Sequence, residues 1–314
     1  MPDTFVEQRR LALFEEQRPR LMGIAYRMLG AVGEADDVLQ ESWLRWSDVN
    51  PADVDSIEAF LTTVVTRLSL DRLRRERPRR EVYAGSWLPE PVACDPVTDD
   101  PSATVELAGS LSLAVLAVME TLSPLERAAF VLRVVFDGSY PEVAAALGRR
   151  EPAVRQLVHR AQHHLAEGRV RYESDRKRHD EVLRRFVLAC RTAGIAPLLE
   201  VLAPDVVLVS DGGGIAKAPP RPISGREEVG RFLVSVLRRL PRAAVAAVED
   251  FNGTSGIVVR VLGEPVSALA IRADGDRVGS LQLVANPRKL VALRSPVSRL
   301  AIIRRLSATR SGGR

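Results

Sequence analysis

One stretch of the sequence decides the fold of the middle of the chain: residues 122–165 read LSPLERAAFVLRVVFDGSYPEVAAALGRREPAVRQLVHRAQHHL. Its apolar residues recur at helical spacing. Ser123 supplies a helix cap, Pro124 fits the first turn, and Glu126 places a carboxylate near the positive end of the helix. Asp137–Gly138 ends this segment, so the stretch opens with a helix that is marked at both ends.

A short helix, a glycine break and a longer helix follow, which is the order of a helix-turn-helix motif. The short helix runs from Pro141 to Leu147, Gly148 makes the break, and the longer helix begins near Glu151. The inward apolar stripe leaves seven polar side chains outside or near the helix start: Arg149, Arg150, Arg155, Gln156, His159, Arg160 and His163. Such groups neutralise phosphates or donate to base edges in the major groove. The alternative is a solvated helix pair in an all-α bundle, which can mimic the motif.

Length and charge favour several domains and an anionic partner. The chain has 314 residues, more than one core usually serves, and a formal net charge of +5. The charge is uneven, since residues 82–126 contain seven carboxylates and no Lys or Arg, while basic segments flank them on both sides.

The sequence shows no metal-ligand spacing and no transmembrane run. Cys94 and Cys190 are the two cysteines, and we expect free thiols in a reducing cytoplasm, with a single disulfide between them as the alternative. The first twenty residues are charged throughout and lack a signal-peptide core. The pattern therefore predicts a soluble cytoplasmic protein with no metal, no cofactor and no membrane contact.

The first 80 residues contain two helices with contrasting surfaces. The segment GEADDVLQESWLRWSDV, residues 33–49, places an acidic, amide-bearing edge on a helix; it is either a capped core helix or a docking surface for a basic helical partner. The next helix, from Ser56, combines threonines with arginines on its exposed side. Residues 67–80 hold seven arginines and two carboxylates, which suits phosphate binding, although a helix end also favours basic residues.

Taken in order, three pieces of sequence resemble one known family. They are GEADDVLQESWLRW, FLTTVVTRLSLDRLRR and, after an acidic linker, the helix-turn-helix stretch. Together they resemble a bacterial sigma factor of the extracytoplasmic-function type, with sigma domains two and four, over about the first 170 residues. The resemblance implies a protein that binds core RNA polymerase and promoter DNA, directs transcription initiation and catalyses nothing itself.

The resemblance also implies a role for three sets of residues. Those matching the polymerase-binding segment are Asp36, Asp37, Val38, Leu39, Gln40 and Glu41. Those on the helix that reads the −10 element as a single strand are Thr62, Thr63, Thr66, Arg67, Arg72, Arg74 and Arg75. Those that read the −35 element lie in the helix-turn-helix, residues 140–160, and are Arg149, Arg150, Arg155, Gln156, His159 and Arg160.

The linker carries a proline-stiffened run, YAGSWLPEP, at residues 83–91. This run resembles the sigma-J-like subgroup, whose members carry an added C-terminal domain. The linker's acidity leads to the hypothesis that it lies in the polymerase's basic channels rather than on DNA.

The pattern changes after a basic hinge near residue 178. Two predicted helices, 182–194 and 197–202, come first, a third covers 227–240, and strand-like runs cover 206–209, 257–262, 266–272 and 277–285. Helices first and strands later indicate an α+β fold with a curved antiparallel sheet packed on helices.

This part resembles a SnoaL-like, NTF2-like cone, and two of its loops resemble signature motifs of the same subgroup. The residues concerned are Asp211, Gly212, Gly213, Gly214 and Lys217 in one loop, and Asn286, Pro287 and Lys289 in the other. Two departures stand out: Ile215 and Ala216 separate the lysine from the glycines, and Arg288 replaces an acid. The resemblance implies an intramolecular contact through these loops, with the sigma domains or the linker, that regulates activity in cis.

Two other functions are compatible with parts of the pattern. One is a helix-turn-helix regulator, not a sigma factor, with a ligand-sensing cone; it would bind duplex DNA without polymerase. The other is a cone-fold enzyme, but the sequence after Tyr172 contains no Tyr or Trp, and the last His is His179. A carboxylate base without such a donor is a poor catalytic set.

The predicted organisation has five parts. They are sigma domain two at 1–80, an acidic linker at 81–112, sigma domain four at 113–171, a SnoaL-like domain at 172–294 and a basic C-terminal tail at 295–314. The tail holds five arginines beside a few apolar residues, which predicts a short basic helix before a disordered end.

Overall fold

The computed structural model describes residues 2–81, 83–93, 111–167, 176–192, 194–294 and 302–303. Most of the predicted acidic linker, residues 94–110, lies outside them. The chain divides into two compact units. The first comprises Met1–Val82, Cys94–Leu111 and Val115–Arg171, and the second comprises Tyr83–Ala93, Ser112–Ala114 and Tyr172–Arg314.

Three helices form the N-terminal part of the first unit: α1 is Pro2–Leu29, α2 is Val32–Ser47 and α3 is Ile57–Glu81. Gly30 takes a left-handed conformation, φ 74°, that separates α1 from α2. Trp46 is fully buried between them, and its Nε1 donates to the Arg10 carbonyl at 3.1 Å. The apolar faces therefore pack as the helical spacing predicts, and α1 is one continuous helix.

The C-terminal part of the first unit contains the predicted helix-turn-helix. After α4, Leu113–Met119, comes α5, Pro124–Phe130, which continues as a π-helical turn at Val131–Val135. Then come α6, Tyr140–Leu147, and α7, Glu151–Glu167. Both α5 and α6 begin with a capping box, in which Ser123 pairs with Glu126 and Ser139 with Glu142. Gly148, at φ 61°, closes α6 as the sequence predicts.

A buried arginine joins the two halves of this unit. Arg127 on α5 is 3% exposed, and its Nη1 donates to the Met28 carbonyl at the end of α1 over 2.8 Å. The same guanidinium donates to the Met119 carbonyl and pairs with Glu120 at 2.7 Å. Because the charge is paired and its donors are used, it stabilises the junction instead of weakening it.

The second unit places three helices against one sheet. The helices are α8, Arg176–Arg191; α9, Ile195–Val201; and α10, Arg226–Arg239. The strands are β1, Leu202–Asp211; β2, Ile223–Ser224; β3, Ala244–Phe251; β4, Thr254–Val261; β5, Glu264–Asp274; β6, Arg277–Val284; and β7, Ile302–Ile303.

The sheet differs from the prediction in one respect. Its order is β2-β1-β6-β5-β4-β3-β7, and β1 pairs with β6 in parallel, so the sheet is mixed and the antiparallel prediction was wrong for that pair. A long connection between β1 and β6, which includes α10, lets the two strands run the same way. The sequence also missed β3, whose run AVAAVEDF lacks a clear alternation.

The core of the second unit is apolar, with Phe186 of α8, Leu198 of α9 and Leu281 of β6 fully buried in one cluster. Within the predicted tail, only Ile302–Ile303 is described, and it pairs as a strand with Ala246–Ala247 of β3. The predicted helix is therefore wrong at these two positions, and the rest of the tail lies outside the described residues.

Candidate functional site

The exposed face of α7 carries the residues predicted to read duplex DNA. Arg149 and Arg150 precede the helix, and Gln156 and His159 lie on its outer side; all four are exposed. Their positions follow from the burial of Val154, Leu157, Val158, Ala161 and Leu165 on the opposite side. The helix therefore presents one polar surface of the size and chemistry that the major groove accepts.

Two arginines on this face are held by neighbours in the structure. The Arg155 guanidinium lies 4.0 Å from the centroid of the Tyr140 ring and 3.6 Å from the Glu151 carboxylate. The Nε of Arg160 lies 3.3 Å from Glu126. Glu126 has a lowered pKa, since the Ser123 hydroxyl and amide outweigh the opposing effect of burial, with Arg160 adding to the lowering. The first residues of α6 and α7 therefore orient Arg155, and the capping box of α5 orients Arg160.

The predicted single-strand reader, α3, is exposed along most of its polar side. Arg67, Arg74 and Arg75 are exposed, and Thr62 and Thr63 are half-buried. The Thr63 hydroxyl donates to the Ala59 carbonyl at 2.8 Å.

Thr66, by contrast, is fully buried. Its hydroxyl has no hydrogen-bond partner among the described residues. The prediction that Thr66 contacts DNA directly therefore does not hold, because its side chain points into the core.

The acidic edge of α2 is also partly neutralised by its own domain. Asp36 accepts hydrogen bonds from Arg18 and Gln40, each at 3.0 Å, and Arg72 of α3 pairs with Asp37 at 2.9 Å. Glu41 pairs with Arg45 at 2.9 Å.

Val38 and Leu39 are buried at 1% and 0% exposure. The prediction that they contact polymerase therefore does not hold. They pack α2 against the core, and only the polar residues of the segment lie on the surface.

The second unit holds a densely hydrogen-bonded polar site, built around Asp211 at the end of β1. Asp211 is fully buried and accepts from Tyr83 Oη at 2.7 Å, Lys289 Nζ at 2.7 Å and the Leu88 amide at 2.9 Å. The Gly213 amide also donates to it, at 3.0 Å. Every partner donates, so one ammonium and three neutral donors satisfy the buried carboxylate oxygens.

Residues 83–93, which we call the strap, supply two of these donors. Lys289 Nζ also donates to the Leu88 carbonyl and lies 3.8 Å from the centroid of the Trp87 ring. Asn286 Nδ2 donates to Tyr83 Oη at 2.9 Å. Burial and the neighbouring Asp211 raise the pKa of Tyr83, so its hydroxyl stays protonated and donates. The strap is thus fastened by both predicted loops of the second unit.

The glycine loop has a geometric reason for its composition. Gly213 takes φ 60°, and a Cβ there would lie 2.2 Å from Asn286 Nδ2. The Gly212 carbonyl accepts from the Ile215 and Ala216 amides, which closes the turn. Gly214, at φ 70°, leaves 3.2 Å between an added Cβ and Ala84 of the strap. A tight turn at the end of β1 therefore brings the loop against the strap.

Lys217 does not take the place predicted for it. It is exposed, and the buried ammonium beside Asp211 is that of Lys289. The two inserted residues, Ile215 and Ala216, lie in the turn and carry Lys217 away from the carboxylate. Pro287 contributes by beginning the 3₁₀ turn Pro287–Lys289, which Asn286 caps and which places Lys289.

A second fastening, near the far end of the strap, was missed by the sequence. Asn252 occupies the β3–β4 turn at φ 50° and is 1% exposed. The Val92 amide donates to its Oδ1 at 3.0 Å, and the Asn252 amide donates to the Val92 carbonyl at 2.9 Å. Ala93 forms a β-bridge with Phe251. An Asn-Gly pair between two strands predicts a hairpin turn and nothing more, so no signal in the sequence indicated that Asn252 would bind the strap.

The described residues offer little for metal or membrane chemistry. They contain no group of three or more His, Cys, Asp or Glu arranged to hold a metal ion. No helix in the described part of the chain has the length and apolarity needed to cross a bilayer. Burial raises the pKa of Cys190 to about 12, so this thiol is a poor nucleophile.

Comparison with known proteins agrees with this layout. Residues 13–79 match the family model for Sigma-70 region 2, and residues 112–165 match that for Sigma-70 region 4. The ECF RNA polymerase sigma factor SigJ of Mycobacterium tuberculosis (strain ATCC 25618 / H37Rv) is 36% identical over 288 residues, which cover 88% of this chain and 91% of that protein.

Two further comparisons extend over most of the chain. The probable ECF RNA polymerase sigma factor SigI of Mycobacterium tuberculosis (strain CDC 1551 / Oshkosh) is 29% identical, covering 90% of this chain and 96% of that protein. The crystal structure of Mycobacterium tuberculosis SigJ matches with a TM-score of 0.73 at 33% identity, covering 92% of this chain and all of that chain. The predicted order, helical domains followed by an α+β domain of SnoaL-like type, is confirmed.

Proposed function

The chain belongs to the extracytoplasmic-function (ECF) family of RNA polymerase sigma factors, and from this premise we propose how its surfaces divide the work of initiation. Sigma factors bind core polymerase and promoter DNA and catalyse no reaction themselves. We assign −35 recognition to the exposed face of α7, −10 recognition to the arginines and threonines exposed on α3, and polymerase docking to the polar edge of α2. Because the protein acts with polymerase, we place it in the cytoplasm.

We further propose that the second unit regulates the sigma factor in cis by holding the strap. The observation that carries this is the Asp211 site, where the Tyr83 hydroxyl and the Leu88 amide of the strap meet a buried carboxylate. The strap is the first part of the predicted acidic linker, residues 81–112, which we expect to lie in a basic channel of the polymerase. One segment cannot occupy both places, so docking of the strap competes with engagement of polymerase.

The test is promoter-specific transcription by core polymerase with three forms of the protein: the full chain, a truncation after Arg294 and a truncation after Arg178. The first truncation removes the tail alone and serves as the control for chain length. If the strap competes with polymerase, the truncation after Arg178 reaches half-maximal transcription at a lower protein concentration. Identical activity of all three forms would contradict regulation in cis and leave the sigma assignment standing.

The alternative regulator, which would act without polymerase, makes a different prediction. It requires tight binding of promoter duplex by the free chain, whereas a sigma factor binds promoters weakly until it joins core polymerase. Start-site mapping with purified core polymerase and the full chain separates the two. Initiation at defined sites that depends on the added chain supports the sigma factor, and duplex binding without initiation contradicts it.

A further inference from the structure

The two halves of the first unit, α1–α3 and α4–α7, pack directly against each other. Helix α3, which carries the proposed −10 reader, lies against α5 and α6, and α1 lies against α5 and the π-helical turn that follows it. Helix α6 also packs against α7, the proposed −35 reader. Only one layer of helix therefore separates the two readers in this structure.

This arrangement is too compact for both elements of one promoter. The elements are named for positions −10 and −35, so their centres are about 25 base pairs apart, or roughly 85 Å along the duplex at 3.4 Å per base pair. Packed helix axes lie about 8–10 Å apart, so two successive packings place the axes of α3 and α7 within about 20 Å. The proposed −10 reader, residues 62–75, extends over only about 20 Å of helix. The closed unit can therefore reach either element, and it can reach both only after its halves separate.

One aromatic side chain fastens the two halves. Phe136, just after the π-helical turn, meets two arginines of α1, and the guanidinium carbons of Arg20 and Arg27 each lie 5.2 Å from the centroid of its ring. Arg27 is 3% exposed, and a desolvated cation is attracted more strongly to a ring than an exposed one. The Arg20 Nε also lies 3.1 Å from Glu58 of α3. The same arginine therefore contacts both α3 and the helix-turn-helix half.

The backbone around Phe136 is irregular. Helix α5 changes to a π-helical turn at Val131–Val135, and Asp137 takes φ 51°, which is uncommon for a residue with a Cβ. The Arg133 Nη1 donates to the Asp137 carboxylate at 2.8 Å and holds this conformation. Backbone of this kind persists where surrounding contacts compensate for it, and it is common in segments that switch. Here it presents Phe136 to α1.

The buried Arg127 permits the junction to open. Its bond to the Met28 carbonyl crosses between the halves, whereas its bonds to the Met119 carbonyl and its ion pair with Glu120 lie within its own half. When the halves separate, the guanidinium loses one acceptor and keeps its carboxylate. Opening therefore leaves no unpaired buried charge, which would otherwise make it very costly.

We propose that Phe136, Arg20 and Arg27 form an autoinhibitory latch that is closed in the free protein and open in the initiation complex. This inference rests on the proposed function, because it takes the two promoter elements as the targets of α3 and α7. The latch differs from the strap, since all three of its residues belong to the first unit. While it is closed, only the open fraction of the protein can occupy a promoter, and the apparent affinity is reduced by that fraction.

The first experiment measures the separation of the two halves by energy transfer between dyes on the full chain. The dyes are attached at D55C, before α3, and A145C, on the exposed side of α6. C94S removes one native thiol, and the buried Cys190 is unreactive. We expect efficient transfer in the free chain and its loss in the holoenzyme bound to a promoter fragment. Transfer that persists in an initiating complex would overturn the inference.

The second experiment weakens the latch. F136A removes both contacts with the α1 arginines, so it should raise the open fraction of the free chain about 5–30-fold and lower the chain concentration for half-maximal initiation by the same factor. R20M keeps the apolar stem of Arg20 and removes one contact, so its effect should be about 2–5-fold.

The matched control for opening is Y140A. Its ring also lies against two arginines, Arg133 and Arg155, but all three residues belong to the helix-turn-helix half. Energy transfer in the free chain should therefore be the same in Y140A and in the wild type.

Two results would exclude the latch: equal energy transfer in the free forms of F136A and the wild type, or an F136A chain that opens but initiates at an unchanged concentration. Should F136A fail to fold, R20M provides the same test, because Arg20 is partly exposed and its substitution leaves the apolar core intact. Failure of the wild-type chain to initiate at any concentration would instead contradict the proposed function, so the two failures are distinguishable.

Discussion

Replacing Tyr83 with Phe tests the strap contact at a single atom. The substitution keeps the ring and removes the hydroxyl that donates to Asp211 at 2.7 Å and accepts from Asn286 at 2.9 Å. A hydrogen bond to a charged group contributes about 1.5–3 kcal/mol, and the half-exposed position of Tyr83 reduces this to about 1–2 kcal/mol. The docked strap should therefore open about 5–30 times more often, at 1.36 kcal/mol per tenfold change.

Amide hydrogen exchange measures this opening directly, because the Leu88 amide donates to the Asp211 carboxylate only while the strap is docked. We expect exchange at Leu88 to rise by that factor in Y83F, while the amide of Leu281 in the centre of the sheet is unaffected. The control is Y140F, which removes a tyrosine hydroxyl from the first unit. Unchanged exchange at Leu88 in Y83F would refute the view that the hydroxyl holds the strap.

Four more predictions test the other contacts. G213A should destabilise the second unit by about 1–3 kcal/mol in thermal unfolding, because the added Cβ clashes with the Asn286 side chain. The control is G263A, where φ is 90° and the space is open, so that only backbone strain is added and the cost should be smaller. R127M should cost about 3–5 kcal/mol in urea unfolding, since it removes the buried guanidinium that pairs with Glu120 and donates to the Met28 carbonyl. A cost under about 1 kcal/mol would contradict the role of this pair. The Ser139 hydroxyl and amide lower the pKa of Glu142 below its usual value of 4.5. The ionised Glu142 therefore stabilises the fold above about pH 4.5, and this stabilisation is lost as the pH falls through the lower pKa of the folded state. E142Q should show a weaker dependence of stability on acid pH, and a curve parallel to that of the wild type would count against the capping box. Q156A should reduce discrimination at one −35 base pair by about 1–3 kcal/mol, whereas R149A should weaken binding to all promoter sequences evenly. In a panel of promoter variants, the reverse pattern would assign base reading to Arg149 and the phosphate contact to Gln156.

Local patterns in the sequence predicted the helical part of the fold well. The caps at Ser123 and Ser139 and the glycine at 148 are signals of adjacent residues, and the helices begin and end close to them. Strand β3 was missed because its alanines read equally well as helix. The parallel pairing of β1 with β6 was missed because it joins residues some seventy positions apart, which no local pattern records.

The sites show the same division. Exposure of Gln156 and His159 followed from the apolar stripe on the other side of α7, whereas burial of Thr66 depended on how α3 packs in three dimensions. The contact of Asp211 with the strap joins residues 123–128 positions apart. The sequence indicated both loops, but Lys289 rather than Lys217 supplies the ammonium because the inserted pair lengthens the turn.

The strap is attached at two places, Leu88 at Asp211 and Val92 at Asn252, only four residues apart. Two linked weak attachments behave as a bivalent ligand: when one opens, the other keeps the loose end at an effective concentration in the millimolar range, and recapture is fast. A competitor must therefore bind the strap where one attachment has opened and then displace the other attachment. A substitution at one attachment should consequently leave much of the avidity intact. Removing both attachments together should raise strap opening by more than the product of the increases caused by the two single substitutions.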